Sequence, residues 1–235
     1  MGTYYTVSVE AVEGYLPCSN KSYMASYQSE RNISFQYKAL GVFVEATDGT
    51  LYKSTAWASA GKTANSVVFI SLAHSFRISL IAGVAKKIHS NGSDSPDSYL
   101  APIAISNHAA ARADLNGNQN TQAIYSFNVA KSTATSDYAA PYARSYAFPD
   151  GVTIGYLPSY GELYLLYQNI NSVSDCLTAC SGSTITNGFH WVSTNQGKDN
   201  NGNYCFWELN PITGNDYTVN ENYRSYYVRP FGVYE

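Results

Sequence analysis

The chain has 235 residues, of which 45% are apolar and only 13% charged, with a formal net charge of −3. Charged residues run at about half the roughly 25% of an average globular protein, and without a basic excess there is no electrostatic footprint for nucleic acid. No apolar run approaches the ~18 residues a membrane span needs, so neither nucleic acid nor membrane insertion is expected, and the length suits one large domain or a domain with a small arm.

Residues 3–12, "TYYTVSVEAV", are β-branched and aromatic with partial alternation and predict a strand. "GYLPCSNKSYMASYQSE" reads as a polar loop leading to a further strand near "NISFQYKALGVFVEA". "DGT" at 48–50 predicts a tight hairpin turn before "LYKSTAW". The most apolar stretch, residues 66–83, "SVVFISLAHSFRISLIAG", has a polar "AHS" in its middle and predicts two strands joined by a turn, with His74 in the turn. Residues 89–120 read as loop. Within them "DLNGNQN" alternates Asp114, Asn116, Asn118 and Asn120 like a calcium loop. Its glycine stands at the fourth position and Tyr125 falls where a bidentate Glu belongs, so no metal is expected there. "NTQAIYSFNVAKS" predicts a short helix with Thr121 as N-cap.

From residue 137 the punctuation is clearer. "DYAAPYARSYAFPDG" has helical apolar spacing ended by Pro and Gly. "LPSYGELYLLYQN" predicts a helix opened by an S-x-x-E capping box of Ser159 and Glu162, with Leu163, Leu166 and Tyr167 on one face. A second short helix follows over 172–180, and the rest reads as strands and long polar loops.

Low charge with 22 Tyr and abundant Ser, Asn and Gly is the palette of a surface that makes contact through phenols and amides, as in paratopes, where Tyr gives large amphipathic area at low entropic cost. On composition alone, a β-rich domain with polar loops is the simpler reading. The four cysteines, Cys18, Cys176, Cys180 and Cys205, are read as free and mostly buried thiols, with a disulfide from Cys205 as the alternative. Catalytic machinery is thin. The chain has no G-x-S-x-G, no phosphate loop and no H-E-x-x-H, and its histidines at 74, 89, 108 and 190 lack ligand spacing. No catalytic residue, metal or cofactor is expected.

One stretch poses the functional question: "NGFHWVSTNQGKDNNGNYCFWELN", residues 187–210, sets two tryptophans in a run of Asn, Gly, Asp and Ser. Together with "GYLPSYGELYLLYQN" before it and "YYVRPFGVY" after it, this series resembles the C-type-lectin-like variable proteins of diversity-generating retroelements, above all their gut Bacteroidales and phage branch. "GVFVEATDGTLYKSTAW", "GKTANSVVFIS", "HSFRISL" and "YAAPYARSYAFPDG" resemble the family's upstream half, so the resemblance spans roughly residues 40–235. "HWVST" and "FWEL" depart from the family's Y-W-S-S-T and A-W.

The resemblance implies an α+β fold: an N-terminal arm over 1–39, a β-rich part of the lectin-like unit over 40–150, and a lectin-like core over 151–235. It implies a fixed scaffold of Trp191, Trp207, Glu162 and Arg229, the last anchored by carbonyls or by a carboxylate such as Glu162. It implies an exposed display face of His190, Val192, Asn195, Tyr204, Phe206, Asn215, Tyr217, Asn220, Asn222, Tyr223, Arg224 and Ser225. These residue types can arise from adenine-directed mutagenesis of an Asn codon, whereas Gln196, Lys198, Glu208 and Glu221 cannot.

The function so implied is binding without catalysis, to a host cell-surface receptor, protein or glycan, from a phage virion. The chain would assemble as a trimer or with other virion proteins. The N-terminus shows no positive and apolar leader, which favours a virion. If Met1-Gly2 is an expression remnant, a bacterial surface adhesin or lipoprotein domain leads instead. A structural decoration protein without diversified binding and a formylglycine-generating-type enzyme are the remaining alternatives.

Overall fold

The computed structural model describes residues 4–10, 12–24, 38–88, 104–130, 135–198, 204–220 and 224–235. The fold is mixed α+β. Two compact units form, one of Met1–Gly41 with Ile70–His74, the other of Val42–Phe69 with Ser75–Glu235.

In the first unit, β1 (Tyr4–Val7) pairs antiparallel with β2 (Lys21–Met24). The N-terminal strand therefore has a partner within its own unit, from a segment whose polar sequence reads as loop.

The second unit holds two larger sheets. Six strands, β3 (Gly41–Ala46), β4 (Leu51–Tyr52), β5 (Ala64–Ile70), β6 (Ser75–Ile78), β8 (Gly155–Tyr156) and β13 (Phe231–Val233), run in the order β4-β3-β5-β6-β13-β8. Asp48 Oδ1 accepts the Thr50 amide at 3.0 Å, and Gly49 takes φ +82°, which closes the β3–β4 hairpin as "DGT" predicts. β5 and β6 are joined at Ser71–His74, where the Ser71 amide and hydroxyl both donate to the His74 carbonyl.

The other sheet comprises β7 (Val84–Lys86), β9 (His190–Lys198), β10 (Tyr204–Leu209), β11 (Asp216–Asn220) and β12 (Tyr226–Val228), in the order β11-β10-β9-β12-β7. Helix α1 (Ser54–Trp57) follows β4.

Among the described residues between 104 and 145 three helices form, the first of them in a stretch that reads as loop. α2 (His108–Ala113) is built on "HAAARA", Ala being the strongest helix former. Asn107 caps it by accepting the Ala110 amide at 2.8 Å. α3 (Gly117–Ala130) starts four residues before the expected cap. Thr121 is thus inside the helix, its hydroxyl bonded to the carbonyls of Gly117 and Leu157 and to the Leu157 amide. α4 (Ala139–Ser145), α5 (Tyr160–Gln168) and α6 (Ile170–Ala179) lie where the apolar spacing places them.

Two apolar cores result. The larger joins Val44, Val67, Phe76 and Phe231 of the six-stranded sheet to Leu163 and Leu177 of α5 and α6, and to Val192, Trp207 and Leu209. Phe76 stacks between Phe69 and Phe231 at 5.1 and 4.8 Å. The smaller joins Trp191, Phe206 and Val228 to Ile124 of α3 and Ala139, Ala140 and Ala143 of α4. The five-stranded sheet therefore carries a core on each face. None of the four cysteines forms a disulfide, and Cys176 and Cys205 are buried.

Candidate functional site

The site grows from the N-terminus of α5. Ser159 and Glu162 form the capping box: the Ser159 amide donates to Glu162 Oε2 at 2.8 Å, and Ser159 Oγ accepts the Glu162 amide at 3.4 Å. Glu162 Oε1 accepts the Tyr156 hydroxyl at 2.9 Å. Gly161 sits against the 112–114 backbone, where an added Cβ would lie 2.4 Å from the Asp114 carbonyl oxygen. This close approach gives the "SYGEL" segment its glycine.

The same corner collects the polar run of β9. Thr194 Oγ1 donates to Asp114 Oδ2 at 2.6 Å and accepts the Tyr160 amide at 2.7 Å. Ser193 donates its amide to the Pro158 carbonyl at 2.7 Å, and Asn195 Oδ1 accepts the Gly197 amide at 2.8 Å. Register shifts in the β9–β10 pairing accompany this: Glu208 faces Trp191 while Phe206 faces Asn195, so β9 spends two extra residues over that interval. Asp114 also accepts from Asn116 and Asn120, so its oxygens are occupied by its own chain. Among the described residues no cluster of His, Cys, Asp and Glu could hold a metal ion.

The scaffold residues are buried. Trp191 and Trp207 are 0% and 3% exposed, and their indole N–H groups donate to the carbonyls of Lys86 and Ile105, each at 2.8 Å. Arg229 is buried too, but Glu162 is not its partner. Its guanidinium donates to the Ser79 carbonyl through Nε and Nη2, and to the carbonyls of Thr184 and Ser183 at 3.0 and 2.8 Å. Burial brings its pKa down to about 10.

The expected display face divides. His190, Val192, Asn195 and Phe206 are buried, which corrects their assignment to an exposed face. The cause is the double-sided packing of the sheet: Val192 enters the larger core and Phe206 the smaller. His190 is held by its Nδ1 to the Gly188 carbonyl at 2.9 Å and packs on Tyr227, and burial lowers its pKa to about 4. Asn215, Tyr217, Arg224 and Ser225 are exposed. Asn222 and Tyr223 lie outside the described residues, as do the side chains of Tyr204 and Asn220.

Two of these exposed groups, Tyr217 and Arg224, contact an aromatic ladder that sequence spacing does not reveal. Tyr217 (58% exposed) packs edge-on against Phe189 at 5.4 Å. Phe189 meets Tyr226 at 5.9 Å, and Tyr226 meets Trp191 at 4.7 Å. Arg224 Nη1 donates to the Tyr226 hydroxyl at 2.9 Å. Beneath them Glu208, paired across the sheet with Tyr217 and with Trp191, is buried, and no described residue donates to its Oε2. Burial lifts its carboxyl pKa to about 7, against the opposing pull of the Tyr226 hydroxyl and the Arg224 charge.

A second cluster fixes the start of β11. Asp216 accepts the Tyr160 hydroxyl and lies 3.5 Å from His108 Nε2. His108 packs edge-on against Trp207 at 4.7 Å. Tyr160 is fully buried, and burial followed by the Asp216 contact raises its pKa, so its hydroxyl is a latch rather than a base. Tyr160 and Asp216 are 56 residues apart in sequence, which hid the pairing.

No protein family, curated protein or solved structure matches this chain.

Proposed function

We propose that this chain is a non-catalytic display protein that binds a receptor on a host cell, of the C-type-lectin-like variable-protein kind and carried on a phage virion. The observation that supports this most is the ladder from exposed Tyr217 through Phe189 and Tyr226 to fully buried Trp191. It sets Tyr and Arg side chains, the types that dominate binding energy at interfaces, on a base held from both faces of a sheet. The display set contracts to Asn215, Tyr217, Arg224 and Ser225, together with Tyr204, Asn220, Asn222 and Tyr223, which the resemblance implies. Assembly as a trimer, or docking on another virion protein, would multiply weak single-site binding by about 10²–10⁴. Light scattering of the full chain reads that assembly.

The test is staining of a panel of gut Bacteroidales cells with labelled protein, wild type against Tyr217→Ala/Arg224→Ala. Loss of about tenfold or more in staining at unchanged melting temperature supports the reading. Equal staining by the two proteins, or no staining of any strain, removes it.

A further inference from the structure

A cleft of 870 Å³, lined by none of the described display residues, lies between α3, α4 and the turn at 150–154. That volume lies within the range of about 300–1,000 Å³ usual for small-molecule sites. Part of its lining is already committed. Arg77 is spent on Glu45 and the Val233 carbonyl, and Asp150 on Asn65, Thr153 and the Val152 amide.

The rest of the polar lining is open. Arg144 lies 5.2 Å over the Tyr125 ring and has no acidic partner among the described residues. The Asn118 and Gln119 amides make no hydrogen bond to any described residue, and Gln122 donates one, to Ser126. Glu235, on the same cleft, is likewise without a cation among the described residues. Val152 and Ile154 form an apolar lip, 82% and 55% exposed.

We propose that this cleft binds a carboxylate-bearing saccharide, with Arg144 holding the carboxylate and Asn118, Gln119 and Gln122 holding hydroxyls. A guanidinium presents a fork of donors matched to a carboxylate. An amide offers both a donor and an acceptor, as a hydroxyl does, so a row of amides suits a polyol. Glu235 accepts from a ring hydroxyl. Val152 and Ile154 take the C–H face of a sugar ring. None of the described display residues lines this site, and the proposal does not depend on them.

The experiment is amide NMR titration of the full chain with tetragalacturonate and with sialyllactose, against maltotetraose, glycine and inorganic phosphate. At least one acidic saccharide should shift the amides of Asn118, Gln119, Gln122 and 152–154, binding about tenfold or more tightly than maltotetraose. Arg144→Gln, whose spectrum also reports its folding, should reduce acidic-sugar binding to the neutral level. Arg144→Lys should recover part of it, Asn118→Ala should weaken acidic and neutral sugars alike, and Tyr217→Ala should change nothing here. The proposal is overturned if neither acidic saccharide shifts these amides, if Arg144→Gln binds them undiminished, or if glycine or phosphate gives the same shifts at the same concentration.

Discussion

Trp191 and Trp207 sit on adjacent strands of one sheet but belong to separate cores, Trp191 packing with Phe206 and Val228 and Trp207 with Val192 and Leu209. Each indole is tied to an upstream carbonyl, Lys86 or Ile105, more than a hundred residues away in sequence. The two rings hold the sheet from opposite faces, and this double clamp is what buries β9 from His190 to Asn195.

Loss of either ring should therefore destabilise the fold on its own. Trp191→Ala and Trp207→Ala are each expected to cost about 3–5 kcal/mol. Trp191→Phe should cost less, because it keeps most of the packing and gives up the bond to the Lys86 carbonyl. Urea denaturation midpoints of the three variants check this.

Asn195 separates this account from the sequence expectation. Buried, with its Oδ1 accepting the Gly197 amide, it should lose about 1–2 kcal/mol on replacement by Ala. Tyr217→Ala and Ser225→Ala should change stability by no more than about 0.5 kcal/mol, as for other surface positions. Thermal melts run side by side would show the difference.

Two buried groups give stability opposite dependences on pH. Glu208 has a folded pKa of about 7, above its ordinary 4.5, so the folded state holds more protons in that window and stability falls as pH rises through it. His190 has a folded pKa of about 4, below 6.5, so the unfolded state holds more protons and stability rises with pH from 4 to 6.5. The two oppose each other between about pH 4.5 and 6.5. Glu208→Gln should unmask a steeper rise in denaturation midpoint across that range, and His190→Gln a fall continuing to about pH 7. Midpoints at half-unit pH steps read both slopes.

The Asp114 carboxylate is filled by Asn116, Asn120 and Thr194, so EDTA should leave the melting temperature unchanged. Asp114→Ala should instead lower stability by about 2 kcal/mol or more, since it strips acceptors from buried Thr194 and Asn120. A calorimetric scan with and without chelator decides between a hydrogen-bond hub and a metal site.

What the sequence made legible was local. The S-x-x-E box of Ser159 and Glu162, the Asp48–Thr50 turn and the apolar spacing of α4 to α6 are each complete within a few residues. What it hid was long-range. Thr194 finds Asp114 across 80 residues, and buried Glu45 gathers Asn65, Ser66 and Arg77 from 20 to 32 residues away. The run "HWVSTNQ" looks solvent-facing because its polar residues outnumber its apolar ones. The hydroxyls of Ser193 and Thr194 are nonetheless buried, because the N-terminus of α5 and the 114–117 segment supply partners that no spacing rule encodes. Helix α2 and the first turn of α3 were obscured by turn-like Asn and Gly, which here serve as a cap at Asn107 and a close-packing position at Gly117.

The most direct test is tolerance to randomisation. Two libraries of the full chain, one varied at Asn215, Tyr217, Arg224 and Ser225 and the other at His190, Val192, Asn195 and Phe206, are displayed and sorted for protease resistance. A fixed scaffold with a free rim predicts that most members of the first library stay folded and few members of the second do. Equal survival of the two libraries would contradict the separation of scaffold from display on which the proposed function rests.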